Sequence, residues 1–200
     1  MNNAIIRVLT EGKGAFYQRG ILLVVKDMMS IMDMLELIRT RRSIRRYKKE
    51  AVPEDLVEKI LEAGRWAPSA SNSQPWEFIL LRDRKIKEAV AQAATYGTFL
   101  ADAPLGIAVV IDPKASTHPV EDGAIATQNM LLASHALGLG TCWIGAYSSV
   151  YEEKVREILR IPKGKRVLSI ISIGYSAESP KSTRKELEEI TFTDFYGRKS

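Results

Sequence analysis

The chain has 200 residues, of which 46% are hydrophobic, and a formal net charge of +5 at pH 7. That length and apolar content suit one globular domain with a sizeable core, and the modest charge points to a local anionic ligand rather than a generally basic surface. A single cysteine, Cys142, excludes an internal disulfide, and two histidines without ligand spacing argue against a metal site, so we expect no metal and a reducing, cytoplasmic location.

The first 28 residues contain one apolar run, at 21–25, which charged residues follow directly. Five apolar residues cannot span a membrane, and the run lacks the small-residue cleavage site of a secretory signal. Two interpretations stay open. Residues 1–28 are either an N-terminal extension that packs on the body, or a mis-assigned start that precedes the true one at methionine 28, 29 or 32. Residues 29–200 are predicted to form a single domain.

Hydrophobic spacing predicts the secondary structure from residue 31 onward. Apolar residues at intervals of three and four indicate helices, short apolar runs indicate strands, and prolines and small polar residues mark the ends. The predicted elements are, in chain order, a helix over 31–41, a helix from Pro53 through 66 that Pro68 ends, a short buried strand over 78–81, a helix capped by Asp83 and reaching about residue 94, a central strand over 105–111, a helix over 124–137, a strand over 141–144, a helix opened by a capping box at 149–152 and running through 159, and a strand over 167–173. Helices and strands alternate irregularly, which favours the α+β class over a regular βαβ array.

The most informative segment is residues 68–76, which read Pro-Ser-Ala-Ser-Asn-Ser-Gln-Pro-Trp. Proline fixes the backbone φ angle, and serine and asparagine supply local hydrogen bonds, so this composition is typical of a rigid loop with exposed polar groups. Such a loop would suit a planar ligand with polar edges. The alternative is an ordinary connection between a helix and a strand. Trp76, a large aromatic residue that opens the strand, is expected to pack into the core.

A basic segment precedes this loop by one predicted helix. It reads Arg-Arg-Ser-Ile-Arg-Arg-Tyr at 41–47, within the densest cluster of cations in the chain. Guanidinium groups bind phosphate oxygens bidentately, and a serine hydroxyl adds a donor, so the segment predicts an anchor for a phosphate group. The alternative for Arg45 and Arg46 is a solvated face that follows the helix.

In combination, the motifs Arg-Arg-Ser-x-Arg-x-Tyr and Pro-Ser-x-x-Asn-x-Gln-Pro-Trp resemble those of the FMN-dependent nitroreductase family. The later segment 138–145, Gly-Leu-Gly-Thr-Cys-Trp-Ile-Gly, falls where that family has its flavin-ring loop, and the resemblance extends over roughly residues 31–197. It implies an α+β fold with a mainly antiparallel sheet flanked by helices, in an intertwined homodimer with shared active sites. It also implies FMN as cofactor, NADH or NADPH as electron donor, and a nitroaromatic, quinone or flavin as acceptor, with no nucleic acid or membrane as partner.

The resemblance assigns binding roles to twelve residues, and none of them is a catalytic acid or base because the hydride chemistry belongs to N5 of the flavin. Arg41, Arg42 and Ser43 are assigned to the phosphate or ribityl end, where Arg184 also returns to the phosphate, and Arg45 is assigned to the pyrimidine edge of the ring. From the other subunit, Pro68 shapes the approach of Ser69, Ala70 and Asn72, and Gln74 bonds the ring edge or its own loop. The backbone of Ile144 and Gly145 is assigned to the neighbourhood of N5 and O4.

Several alternatives stay open beside these roles. Arg184 also suits a solvated position in a charged tail. The glycine pair Gly138 and Gly140 does not qualify as a dinucleotide-binding motif, because it follows a helix and precedes a strand. For the whole chain, the alternatives are a flavin-binding protein without turnover and a nucleic-acid-binding module built on the basic stripe at 39–49. Plentiful acidic residues and the lack of a reading helix oppose the second.

Overall fold

The computed structural model describes residues 34–199, and the predicted extension at 1–28 lies outside these residues. Residues 34–40 form helix α1, as the spacing of apolar residues predicts for that part of 31–41. The chain divides into a unit Met1–Arg41 and a unit Arg42–Ser200. The sheet and the remaining helices belong to the second unit, and the predicted domain start at residue 29 stays a prediction.

Within residues 42–199 the second unit contains four strands, five α-helices and two short 3₁₀ helices. In chain order these are α2 (Glu54–Arg65), a 3₁₀ helix (Ala70–Asn72), β1 (Trp76–Leu81), α3 (Arg84–Ala93), a 3₁₀ helix (Thr98–Asp102), β2 (Leu105–Ile111), α4 (Pro119–Ala136), β3 (Gly140–Gly145), α5 (Glu152–Ile158), β4 (Arg166–Gly174) and α6 (Leu187–Ile190). The α+β prediction is therefore confirmed.

The four strands form one sheet in the order β1-β2-β4-β3, with every neighbouring pair antiparallel. Strand β2 is buried along its whole length, so the predicted central strand over 105–111 is confirmed with the same bounds. Strand β1 is an edge strand, and Phe78, Ile79 and Leu80 are only half-buried. The prediction of a short buried strand over 78–81 is therefore wrong for these three residues, because an edge strand has a neighbour on one side only, whereas Leu81 is buried.

Helices cover both faces of the sheet because successive residues of a strand point to opposite sides. In β2, Ile107 and Val109 pack with residues of α2 and α4, whereas Ala108 and Val110 pack with residues of α3 and α5. The strand therefore appears in the sequence as a continuous apolar run rather than an alternating one. This two-sided core supports the loops at the ends of the strands.

Local sequence explains most helix boundaries. Asp83 caps α3 by accepting a hydrogen bond from the Ile86 amide at 3.0 Å, as predicted. Helix α4 begins at Pro119, five residues earlier than the predicted start at 124, because a proline suits the first helical position. Gly123 lies on the buried side of α4, where an added Cβ would come within 2.6 Å of Ile111 Cγ2. Its missing side chain also hides the helical pattern in the sequence.

Candidate functional site

The second half of the basic segment is pinned to the sheet by its backbone. Ser43 forms a parallel bridge with Thr141 of β3, and the Ile44 amide donates to the Thr141 carbonyl at 2.8 Å. Further along, the Lys48 amide donates to the Tyr175 carbonyl at 2.9 Å, just beyond β4. Residues 43–48 thus line the end of the sheet where β3 begins and β4 ends. On this fixed backbone Ser43 is half-buried and Arg45 is exposed.

Close packing explains why this attachment needs the sequence it has. Ile44 is buried against Gly140, where an added Cβ would come within 2.8 Å of Ile44 Cγ1. The Tyr47 hydroxyl donates to the Ile44 carbonyl at 2.5 Å and lies 2.7 Å from the Ser172 hydroxyl. Burial raises the pKa of Tyr47 far above its ordinary value, although the hydrogen bond with Ser172 works the other way. The phenol therefore remains a protonated donor that fastens the segment.

Arg45 and Arg46 have different surroundings, although they are neighbours. The Arg45 guanidinium carbon lies 5.7 Å from the centroid of the Phe99 ring, and Nη1 is 3.5 Å from the Ser43 carbonyl. The Arg46 side chain is 81% exposed and reaches only to 4.0 Å from the Glu178 carboxylate. Arg45 is thus oriented by an aromatic ring, as in cation–π contacts, whereas Arg46 lies on a solvated face.

Strand β3 ends at Gly145, further along the same edge of the sheet, and this end has an accessible backbone. Ile144 is only 3% exposed, so the accessible backbone at this end of the strand is that of the residue that follows it. Gly145 is exposed, and a Cβ built on it would find only Trp143 Nε1 within 4 Å, at 3.8 Å. On the other side of Ile144, a Cβ on Gly97 would lie 3.0 Å from Ile144 Cγ2. Open space above Gly145 lets a flat ligand approach the main chain closely.

The loop after Gly145 is held by Glu152, whose role the sequence does not reveal. Its carboxylate accepts from the Ser148 amide at 2.7 Å and the Val167 amide at 3.1 Å, and from two nitrogens of Arg166 at 2.7 Å each. The Tyr151 hydroxyl also donates to the Gly145 carbonyl. The predicted capping box at 149–152 is wrong, because Tyr151 occupies the N-cap without a side-chain bond and Ser149 Oγ has no partner among the described residues.

The pKa of the buried Glu152 carboxyl is lowered from its ordinary value. Burial alone would raise it, because an ionised carboxylate loses hydration in the protein interior. Hydrogen bonds from Arg166 and the two backbone amides, together with the charge of Arg166, outweigh that effect. The carboxylate is therefore a charged clamp that joins the start of α5 to the start of β4.

The loop at 68–75 contains three non-glycine residues in the left-handed region, with φ values of 52° at Ser71, 54° at Asn72 and 48° at Gln74. Such conformations are uncommon for these residue types and cluster at functional sites. The Gln74 amide donates to Ser69 Oγ at 2.9 Å, and Gln74 Nε2 donates to the Asn72 carbonyl at 3.2 Å. Internal bonds thus shape the loop and leave the Asn72 side chain exposed.

The two predicted halves of the site lie far apart in one chain. Strand pairing places Ser43 level with Leu105, at the start of β2. The loop at 68–75 adjoins the residue that pairs with Ile111, at the end of β2. Six residue steps separate those two levels on β2, which is about 20 Å. The halves also lie at opposite sheet edges, three strand spacings or about 14 Å apart. By contrast, Thr141 and Gly145 are four steps or about 13 Å apart along β3.

The remaining predicted residues are placed as follows. Arg41 ends the first unit, where its amide donates to the Leu37 carbonyl at 3.1 Å. Arg42 begins the second unit and is half-buried. Arg184 donates to Ser182 Oγ at 3.1 Å and to the Thr183 carbonyl at 2.7 Å, so its side chain folds back on its own segment. Pro68 is exposed, and Ser69 and Ala70 are half-buried.

Among residues 34–199, no helix is long and apolar enough to cross a bilayer. Nor do three or more histidine, cysteine, aspartate or glutamate side chains come together there in a way that could hold a metal ion. Cys142 is buried in β3.

Comparison with known proteins gives a consistent result. The model of the nitroreductase family matches residues 38–97 and 93–175. A Methanothermobacter thermautotrophicus protein, provisionally named NADH dehydrogenase/NAD(P)H nitroreductase, is 44% identical over 156 residues, which cover 76% of this chain and 82% of that protein. The oxygen-insensitive NADPH nitroreductase of Salmonella typhimurium is 32% identical over 161 residues, which cover 73% of this chain and 67% of that protein. The solved structure of an FMN-dependent nitroreductase of Clostridium difficile aligns with a TM-score of 0.76 at 34% identity, over 80% of this chain and 98% of that one.

Proposed function

The chain belongs to the nitroreductase family, and from this we propose that it works as a homodimer in which each FMN site is built from two copies of the chain. The enzyme is an NAD(P)H-dependent oxidoreductase with FMN as its cofactor, like its named relatives. It oxidises NADH or NADPH and reduces a small acceptor. A cytoplasmic location is part of the proposal, because these electron donors are held inside cells.

The observation that carries the shared site is the distance between its two predicted halves. Ser43 and Gly145 lie along one edge of the sheet, whereas Asn72 lies beyond the opposite edge and the opposite end. A molecule with a ring at one end and a phosphate at the other can span the first pair, because Thr141, the bridge partner of Ser43, lies about 13 Å from Gly145 along β3. It cannot also touch Asn72 of the same chain. A second chain can supply that loop, as the family resemblance implies.

The described residues suit FMN in chemistry and in space. Ser43 supplies a hydroxyl donor at one end, and Arg45 supplies a cation whose position is set by Phe99. Gly145 leaves its backbone uncovered, so a flat ring can approach it. When bound, FMN supplies the hydride chemistry, and no side chain is needed as an acid or base. The protein binds, orients and shields the ring.

The remaining binding residues are proposed from the resemblance. Arg41 and Arg42 are proposed for the phosphate end, and so is Arg184, whose side chain must then leave its present local bonds. Ser69, Ala70 and Asn72, with Pro68 and Gln74, are proposed to contact the ring from the partner chain. The backbone of Ile144 and Gly145 is proposed to lie near N5 and O4. A flavin-binding protein without turnover would use the same contacts and is separated from the enzyme only by activity.

The function is tested with purified protein. We expect it to be yellow, to release FMN on denaturation, and to lose its visible absorbance when NADH or NADPH is added without oxygen. Addition of a nitroaromatic or a quinone should restore the absorbance over repeated cycles. If neither NADH nor NADPH reduces the bound FMN, the chain is a flavin-binding protein without turnover. Colourless protein with salt-sensitive affinity for DNA would favour the nucleic-acid alternative.

Replacing Arg45 with alanine should lower the midpoint potential of bound FMN by about 30 mV, since a cation near the ring stabilises the more negative of its redox states. Spectroelectrochemical titration measures the shift. Arg46→Ala is the matched control and should leave the potential unchanged, because the Arg46 side chain is 81% exposed. If the midpoint potential stays constant or rises in Arg45→Ala, Arg45 does not act on the flavin ring and belongs to the solvated face.

A further inference from the structure

Asp122 is a buried acidic residue whose carboxylate connects two loops. It lies in the first turn of α4 and is 3% exposed. Oδ1 accepts a hydrogen bond from the Ala70 amide at 3.0 Å, and Oδ2 accepts one from the Ser116 hydroxyl at 2.5 Å. Ser116 Oγ in turn accepts from the His118 amide at 3.0 Å. Both carboxylate oxygens are therefore directed at neighbouring loops.

The bond to the Ala70 amide comes immediately before the left-handed part of the loop. Ser71, Asn72 and Gln74 all adopt positive φ angles that residues with a side chain rarely take up without support. The other hydrogen bonds of residues 69–74, from the Asn72, Ser73 and Gln74 amides and the Gln74 side chain, are internal to the loop, and Pro75 at its end accepts from the Asp112 amide at 2.9 Å. Asp122 is a fixed point outside the loop, because α4 packs against β2 and β4 through residues such as Met130 and Leu131.

We propose that Asp122 is a positioning residue for cofactor binding, which holds the Ala70 amide so that residues 69–74 adopt their binding conformation before FMN arrives. The inference rests on the proposed function. A loop that reaches its binding conformation only part of the time binds proportionally more weakly, since the apparent dissociation constant rises as the competent fraction falls. Removing this carboxylate should therefore weaken FMN binding without touching the ligand.

A simpler role for Asp122 is a favourable charge at the N-terminus of α4. Glu121, the preceding residue, offers the same sign of charge in the same turn but is exposed. If only helix electrostatics mattered, Glu121→Gln and Asp122→Asn should behave alike. An asparagine side chain in place of Asp122 would keep an oxygen for the Ala70 amide and offer an amide donor to Ser116, so Asp122→Asn should retain most of the affinity.

The test follows FMN release from the holoenzyme after dilution, by the rise in FMN fluorescence, at a temperature where circular dichroism shows that every variant is folded. Asp122→Ala should weaken FMN binding by about tenfold, and Asp122→Asn and Ser116→Ala by less than about threefold. Glu121→Gln should match the wild type. Hydrogen exchange of the Ala70 amide in protein stripped of FMN should be faster in Asp122→Ala and unchanged in Glu121→Gln.

The outcomes separate this inference from the proposed function. Wild-type protein that binds no FMN would overturn both. FMN binding by the wild type, with the same affinity and Ala70 exchange in Asp122→Ala, would overturn the inference alone. If Asp122→Ala does not fold, Asp122→Leu with Ser116→Ala replaces it, since that pair removes the acceptor while filling the buried space. Equal loss of affinity in Asp122→Asn and Asp122→Ala would assign the effect to charge and contradict positioning.

Discussion

Replacing Glu152 with alanine is expected to lower the free energy of unfolding by about 3 kcal/mol. The carboxylate receives four hydrogen bonds, and two of their donors are the backbone amides of Ser148 and Val167. Removing it leaves the buried Val167 amide without an acceptor and the Arg166 guanidinium without its counter-charge. Arg166 remains stacked on Tyr147, with 4.5 Å between its Cζ and the ring centroid, and its 38% exposed side chain limits the loss.

Equilibrium denaturation of two more variants sharpens this prediction. Glu152→Gln keeps the shape of the side chain but loses the charge, so it should lower the free energy of unfolding by less than Glu152→Ala does. Glu153→Gln changes the neighbouring glutamate of α5, whose side chain is 67% exposed, and should leave stability close to that of the wild type. Similar losses for Glu152→Gln and Glu153→Gln would show that the buried clamp contributes nothing beyond a surface ion pair.

The stabilisation by Glu152 should depend on pH in a defined direction. The pKa of its carboxyl is lower in the folded protein than the ordinary value of 4.5. Its contribution is therefore complete above the pKa of the unfolded chain and is lost as the pH falls through the folded value. The difference in unfolding free energy between the wild type and Glu152→Gln should shrink below about pH 4.5.

Local chemistry made much of the fold predictable. The continuous apolar run of β2 and the Asp83 cap of α3 were both recognisable, because each depends on residues close in sequence. The early start of α4 was not predictable, since the side chains of Ile111 and Leu168, on other elements, leave no room for a Cβ at Gly123. The half-burial of β1 depends on its position at the sheet edge, which only the strand order reveals.

The site followed a similar division. Motif resemblance indicated Arg45, Asn72 and Gly145, but no local pattern distinguishes Arg45 above Phe99 from the solvated Arg46 beside it. Glu152 suggested a capping box, but three of its four hydrogen bonds come from β4, fourteen and fifteen residues away. Asp122 meets Ala70 across fifty-two residues. Long-range contacts of this kind leave no spacing signal in the sequence.

Subunits that carry different defects should complement one another if each site uses two chains. Ser43→Asp places a negative charge at the proposed phosphate end and should repel the ligand. Asn72→Ala removes the loop's amide and strains a left-handed position, which costs about 1 kcal/mol. Each homodimer then has two damaged sites and should bind FMN poorly. A heterodimer of the two variants combines both defects in one site and leaves the other intact.

The direct measurement is the FMN content of that heterodimer, isolated through different affinity tags on its two chains and compared with a wild-type dimer tagged in the same way. The shared-site account predicts about half of the wild-type FMN per dimer, bound with wild-type affinity. Sites built within single chains predict two equally impaired sites and FMN as scarce as in the variant homodimers. That result, or a wild-type monomer that keeps its FMN fully, would contradict the shared arrangement.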